Sequence, residues 1–164
     1  MALKLAPSLR VKNAFPKLTE AAADINSASD ELGKPIQEIE AILKALNLGV
    51  TVWERMQGGT NPHDEVCWWR REIGYTKIGG KWGIALRNSS GDMNFPEDDS
   101  VEEWLFNDSP RYMRVIGAQH LADLIEKMVE EAHNMAKKIR AGSAEAGEIA
   151  ATLRELAPPS QKRK

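Results

Sequence analysis

The sequence predicts an α+β fold: a small antiparallel meander of three or four strands, flanked by two N-terminal helices and two or three C-terminal helices. Two observations predict it. Apolar residues recur every three or four positions in residues 17–47 and 109–157, as they do on one face of a helix. Between these segments the interval changes to two. All five Trp residues lie there, from Trp53 to Trp104, and such enrichment is typical of strands.

The N-terminal part is predicted to hold two helices after an irregular lead-in at residues 1–16, which Pro7 and Pro16 interrupt. Gly33 and Pro35 are typical of a helix end and a new helix start. One long helix kinked at Gly33–Pro35 remains the alternative. The first apolar stripe consists of Leu18, Ala22, Ile25, Ala28 and Leu32, and the second of Ile36, Ile39, Leu43 and Leu46.

The clearest local signal is a hairpin that turns at Gly79-Gly80, because both glycines can adopt positive φ. A two-residue turn there pairs Tyr75 with Ile84 and places Glu72 opposite Arg87. One face of the hairpin then carries the predicted core residues Ile73, Tyr75, Ile84 and Leu86. The other face carries the small residues Gly74, Thr76, Gly83 and Ala85.

After the hairpin, residues 88–100 are predicted to form a polar loop and residues 101–106 a fourth strand. A short helix from Pro110 is expected to break near Gly117, and a helix at 119–140 to end before Gly142. A final helix at 143–157 follows. The core stripe of the 119–140 helix includes Leu121, Leu124, Ile125, Met128 and Met135.

Residues 1–157 are expected to form a single domain, and residues 158–164 a disordered basic tail. With 22 Lys and Arg against 24 Asp and Glu, the net charge of -2 excludes a strongly basic nucleic-acid binder. No apolar run approaches the ~20 residues of a membrane helix. The single cysteine, Cys67, excludes a disulfide framework. We expect a cytoplasmic, bacterial protein without a cofactor.

One segment, Asn61–Cys67, collects residue types that occur in hydrolase and metal sites: His63, Asp64, Glu65 and Cys67. Adjacent loop residues cannot converge on one metal ion without ligands from elsewhere in the chain. A nucleophilic cysteine needs a positioned base and an electropositive setting, which the neighbouring carboxylates oppose. A polar connection is the favoured interpretation, and a hydrolase around His63, Asp64 and Cys67 is the second alternative.

The first alternative is a module that binds single-stranded nucleic acid on an aromatic and basic sheet. Trp68-Trp69-Arg70-Arg71 supplies rings for stacking and cations for phosphates. The local charge opposes it, because residues 48–107 hold six Lys and Arg against ten Asp and Glu.

The preferred hypothesis is a non-catalytic protein that associates with another protein or with itself. The candidate partner-binding residues are Trp53, Trp68, Arg70 and Arg87. Two outcomes are expected for the face with small residues. Either Trp53 or the final helix covers that face, which we favour, or an aromatic patch stays open and docks a partner. No catalytic or metal-binding set is predicted.

Overall fold

A computed structural model describes residues 6–157 and confirms the α+β class, with helices before and after a four-stranded antiparallel sheet of order β1-β2-β3-β4. The described part holds three α-helices, fewer than the predicted four or five. Residues 1–5 and the predicted disordered tail, 158–164, lie outside the described residues. The elements are α1 (Pro7–Leu46), β1 (Val52–Asn61), β2 (Asp64–Ile78), β3 (Lys81–Asp92), β4 (Phe95–Leu105), a 3-10 helix (Phe106–Asp108), α2 (Arg111–Gln119) and α3 (Leu121–Leu156).

A single helix, α1, replaces the two predicted N-terminal helices. It begins at Pro7, so the predicted irregular lead-in is wrong for residues 7–16. Pro16 and Pro35 lie inside the helix. Each removes one backbone hydrogen bond, and the helix continues because the rest of its 40-residue ladder remains. The helix ends where Asn47 adopts the left-handed region, with φ of 48°.

The predicted register of the β2–β3 hairpin is confirmed. Tyr75 pairs with Ile84, and Glu72 pairs with Arg87. Gly79 and Gly80 form the turn with φ of 56° and 83°, the positive values that a two-residue hairpin turn requires.

The predicted polar loop at residues 88–100 is wrong, because most of it is strand. β3 continues to Asp92, and the fourth strand begins at Phe95 rather than at residue 101. Asn88 pairs with Glu102 in this extension. From Phe95 to Glu103 every residue of β4 is exposed. This part of the strand has no buried side, so its sequence lacks the alternation of apolar and polar residues from which a strand is predicted.

The predicted break between the two C-terminal helices lies at His120 rather than at Gly117, and the predicted end before Gly142 does not occur. α2 passes through Gly117 and ends at Gln119, and α3 passes through Gly142 to Leu156. Gly117 instead permits close packing, since a Cβ there would lie 2.7 Å from Cδ2 of Leu86. A glycine inside a helix costs about 1 kcal/mol. That cost is too small to end α3, which has 36 residues.

The hydrophobic core lies between the helices and one side of the sheet, called here the first face. It contains Ile73, Tyr75, Ile84 and Leu86 of the sheet, Ile36 and Leu43 of α1, Phe106, Met113, Leu124 and Met128. Leu121 is partly buried against this core. Ile125 and Met135, predicted as core, are 37 % and 40 % exposed. Ile125 follows the fully buried Leu124 and so points about 100° away from it around the helix, toward a groove of about 270 Å³ between α1 and α3.

Glu40 of α1 completes the edge of β3. Pairing between β3 and β4 begins at Ala85, so the N–H of Ile84 lies beyond the end of β4. Oε1 of Glu40 accepts a hydrogen bond from that N–H at 2.9 Å.

Burial raises the pKa of Tyr75 above its usual 10.0, and the negative charge of Glu40 raises it further.

Candidate interaction surface

The side of the sheet opposite the core, called here the second face, carries all four residues that the sequence suggests for partner binding. Trp53 pairs with Gly74, and alternation along β2 and β3 brings the other three to the same side. The structure therefore brings together Trp53, Trp68, Arg70 and Arg87.

Arg87 is held on the second face by two carboxylates and a ring. Its Nε and Nη2 lie 2.8 Å and 2.7 Å from Oε2 of Glu72. Nη1 lies 3.5 Å from Oε1 of Glu103, and Cζ lies 4.0 Å from the centre of the Trp53 ring. Because Glu72 is only 7 % exposed, this pairing satisfies a nearly buried carboxylate. Arg87 thus stabilises the sheet, and its charge is neutralised within the chain.

Trp53 covers Gly74. A Cβ on Gly74 would lie 2.4 Å from Cε3 of Trp53, so only glycine lets the ring lie this close to the strand. The sequence favours two ways of covering the small residues, by Trp53 or by the final helix. At Gly74 the structure shows the first. The second does not occur, because residues 143–156 belong to α3 and are almost entirely exposed.

Trp68 and Arg70 form the more open end of the second face. Trp68 is half-buried, and Cζ of Arg70 lies 5.8 Å from its ring centre. Nη1 of Arg70 lies 3.9 Å from Oε1 of Glu72, and 49 % of this arginine side chain is exposed. Both arginines of the candidate set therefore have a carboxylate within 4 Å, with which a nucleic-acid phosphate would have to compete.

The hydrolase candidates lie at the turn between β1 and β2 and just after it. His63 is exposed, and its backbone N–H donates to Oδ1 of Asn61 at 3.0 Å. The side chain of Asp64 lies outside the described part of the chain. Cys67 pairs with Asp92, and its Sγ lies 3.9 Å from a carboxylate oxygen of that residue.

Within residues 6–157, leaving aside the side chain of Asp64, no group of three or more His, Cys, Asp and Glu residues is arranged to hold a metal ion. The helices of this range also lack the combination of length and hydropathy that a membrane-spanning segment needs.

A different uncovered surface lies on the N-terminal part of α1, residues 7–25, called here the α1 arm. Four large apolar side chains of the arm are 51–64 % exposed: Val11, Phe15, Leu18 and Ile25. On the same helix, Ile36 is 1 % exposed and Leu43 is 6 % exposed. Half of α1 therefore packs in the core, while the other half extends past the sheet.

The four exposed residues of the α1 arm and the buried Ile36 and Leu43 belong to one stripe. Steps of four and three alternate without interruption along it, which is the heptad spacing of helices that pack on one another. Its positions are Val11, Phe15, Leu18, Ala22, Ile25, Ser29, Leu32, Ile36, Ile39, Leu43 and Leu46. Sequence reasoning missed Val11 and Phe15 because Pro7 and Pro16 indicated an irregular lead-in. The continuing spacing was the signal that could have found them.

The C-terminal part of α3, residues 136–156, also extends past the sheet and is called here the α3 arm. Four of its apolar residues are 55–75 % exposed: Ile139, Ile149, Leu153 and Leu156. Gly142 and Ala146 separate Ile139 from the other three. The α3 arm therefore offers less continuous apolar surface than the α1 arm.

In comparison with known proteins, no family model, no curated protein and no solved structure matches the chain.

Proposed function

We propose that this protein acts by protein association without catalysis, and that the α1 arm is its main interface. One observation carries the proposal: the stripe that packs in the core at Ile36 and Leu43 continues uncovered through Phe15 and Leu18. The second face is the weaker candidate, because Arg87 and Trp53 already contact residues of the same chain.

A bound partner would stabilise the α1 arm as a helix. Helices shorter than about 12–15 residues are marginal in water without tertiary packing, and longer ones gain most of their stability from a packed apolar face. Pro16 weakens the arm further by removing a hydrogen bond from its middle. Fully burying an exposed Leu or Phe side chain contributes roughly 1.5–3 kcal/mol. A partner helix on the stripe would therefore stabilise both the arm and the complex.

The test is site-specific photo-crosslinking in living host cells. A benzophenone amino acid replaces Phe15 on the stripe or, as the matched control, Glu20 on the opposite side of the same helix. We expect a protein adduct from position 15 and little or none from position 20. Introducing Leu18→Glu should abolish the adduct. Thermal unfolding of that variant should show that the sheet and its hydrophobic core stay folded.

Two results would contradict the proposal. Equal adducts from positions 15 and 20 would mean that the stripe has no special role. An adduct to nucleic acid rather than to protein would favour the alternative of a nucleic-acid-binding module.

A further inference from the structure

We infer that a second copy of this chain covers the α1 arm, with the two arms antiparallel and centred near Glu20. This inference rests on the proposed function and names its partner. Three observations support it: the distribution of charge along the arm, the length of the uncovered stripe, and the small residues that flank it.

Charge divides the N-terminal part of α1 into two blocks. Residues 7–17 contain three cationic residues and no acidic one, namely Arg10, Lys12 and Lys17. Residues 18–31 contain four acidic residues and no basic one, namely Glu20, Asp24, Asp30 and Glu31. Two antiparallel copies bring each basic block beside the other copy's acidic block, whereas parallel copies bring like charges together. The segment is therefore complementary to itself in one orientation only.

The extent of the uncovered stripe fixes the register. From Leu32 to Leu43 the stripe packs against the core. Its free part, the part outside the core, runs from Val11 to Ser29, and Ser29 itself is half-buried. The midpoint of that free part is Glu20. Antiparallel arms centred there overlap along the whole free stripe, and two of the three facing pairs combine a larger with a smaller side chain. The facing pairs are Val11 with Ser29, Phe15 with Ile25, and Leu18 with Ala22.

The flank of the stripe is also small. Ala14, Ala21 and Ala28 each precede a stripe position, and they lie seven residues apart on one side of the helix. Side chains of this size let two helices approach closely without displacing charged groups. A two-fold dimer uses the same patch on both copies, and this patch meets that requirement in shape and in charge.

The test is cysteine crosslinking in the full chain, with Cys67→Ser as background so that only the introduced thiols react. Val11→Cys and Ser29→Cys are prepared separately, and each is oxidised alone or after mixing with the other. In the antiparallel dimer, residue 11 of one copy faces residue 29 of the other. Two Val11 positions lie about 27 Å apart, at 1.5 Å per residue, which is beyond disulfide reach.

We expect the mixture to yield a disulfide-linked species of twice the 18.2 kDa chain mass, and each variant alone to yield almost none. As a matched control, Ile149→Glu on the α3 arm should leave this yield unchanged. Leu18→Glu should abolish it.

Other results would overturn the inference. Crosslinking of each variant alone would show parallel arms, and loss of crosslinking in Ile149→Glu would assign the contact to the α3 arm. If no species crosslinks and the protein is monomeric while the adduct from Phe15 to another protein persists, the second copy is wrong and the proposed function stands. If that adduct is also absent, both fail.

Discussion

The two halves of α1 carry the same apolar repeat and differ in what covers it. Around Ile36 and Leu43, the sheet, the 3-10 helix and α3 exclude water from the stripe. Around Phe15 and Leu18, nothing in the described part of the chain does so, and both side chains are more than 60 % exposed. A heptad pattern thus predicts which side of a helix needs cover. It does not predict whether the same chain or another chain supplies that cover.

The largest expected effect comes from the same substitution made in each half of α1. Ile36→Ala removes a fully buried side chain and should reduce the free energy of unfolding by about 2–5 kcal/mol. Ile25→Ala removes one that is 51 % exposed. At low protein concentration it should change stability by less than about 0.5 kcal/mol. Urea unfolding of both variants measures the difference, and equal losses would mean that the arm packs within its own chain.

Replacing glycine by alanine should change stability less, and in opposite directions in the buried and the exposed parts of the C-terminal helices. Gly117→Ala places a methyl group 2.7 Å from buried Leu86, and overpacking outweighs the gain in helix propensity. We expect a net loss of about 0.5–2 kcal/mol. Gly142→Ala meets nothing within 4 Å and should raise stability or helicity, by up to about 1 kcal/mol. Thermal unfolding followed by circular dichroism tests both signs, and a loss at Gly142 would indicate a hidden contact on the α3 arm.

The smallest predicted effect is a change in the pH dependence of stability, and it arises in the buried core alone. Because the folded pKa of Tyr75 is raised above 10.0, its contribution to stability is fully present below pH 10. That contribution is lost as pH rises through the higher folded value. We expect wild-type stability to fall more steeply above pH 10 than that of Tyr75→Phe, which has no phenol to ionise. Parallel stability curves for the two proteins would show that burial of this phenol has no energetic consequence.

Much of the sheet could be predicted from the sequence, because local rules and packing agree there. Two turn glycines and strict alternation fixed the pairing of Tyr75 with Ile84 and of Glu72 with Arg87. The β3–β4 extension could not be predicted in this way. Its exposed polar residues pair through the backbone, and backbone pairing requires no apolar pattern.

The helix ends and the candidate interface were harder to predict for a related reason. Pro16 and Gly142 are strong local signals, but each perturbs only a few of the many hydrogen bonds in a helix of 36–40 residues. Because Pro16 indicates the end of an irregular lead-in, the sequence does not predict that the apolar stripe extends to Phe15. The second-face residues were identified correctly as neighbours, yet the sequence did not indicate that Trp53 and Arg87 would bind each other.

The most direct test of the central claim is hydrogen–deuterium exchange of α1 over a range of protein concentrations. The account predicts that residues 32–43 are protected at every concentration. Residues 11–25 should exchange rapidly in dilute protein and become protected as concentration rises, because the second copy then covers the stripe. Rapid exchange of residues 11–25 at all concentrations, or protection independent of concentration, would contradict the account.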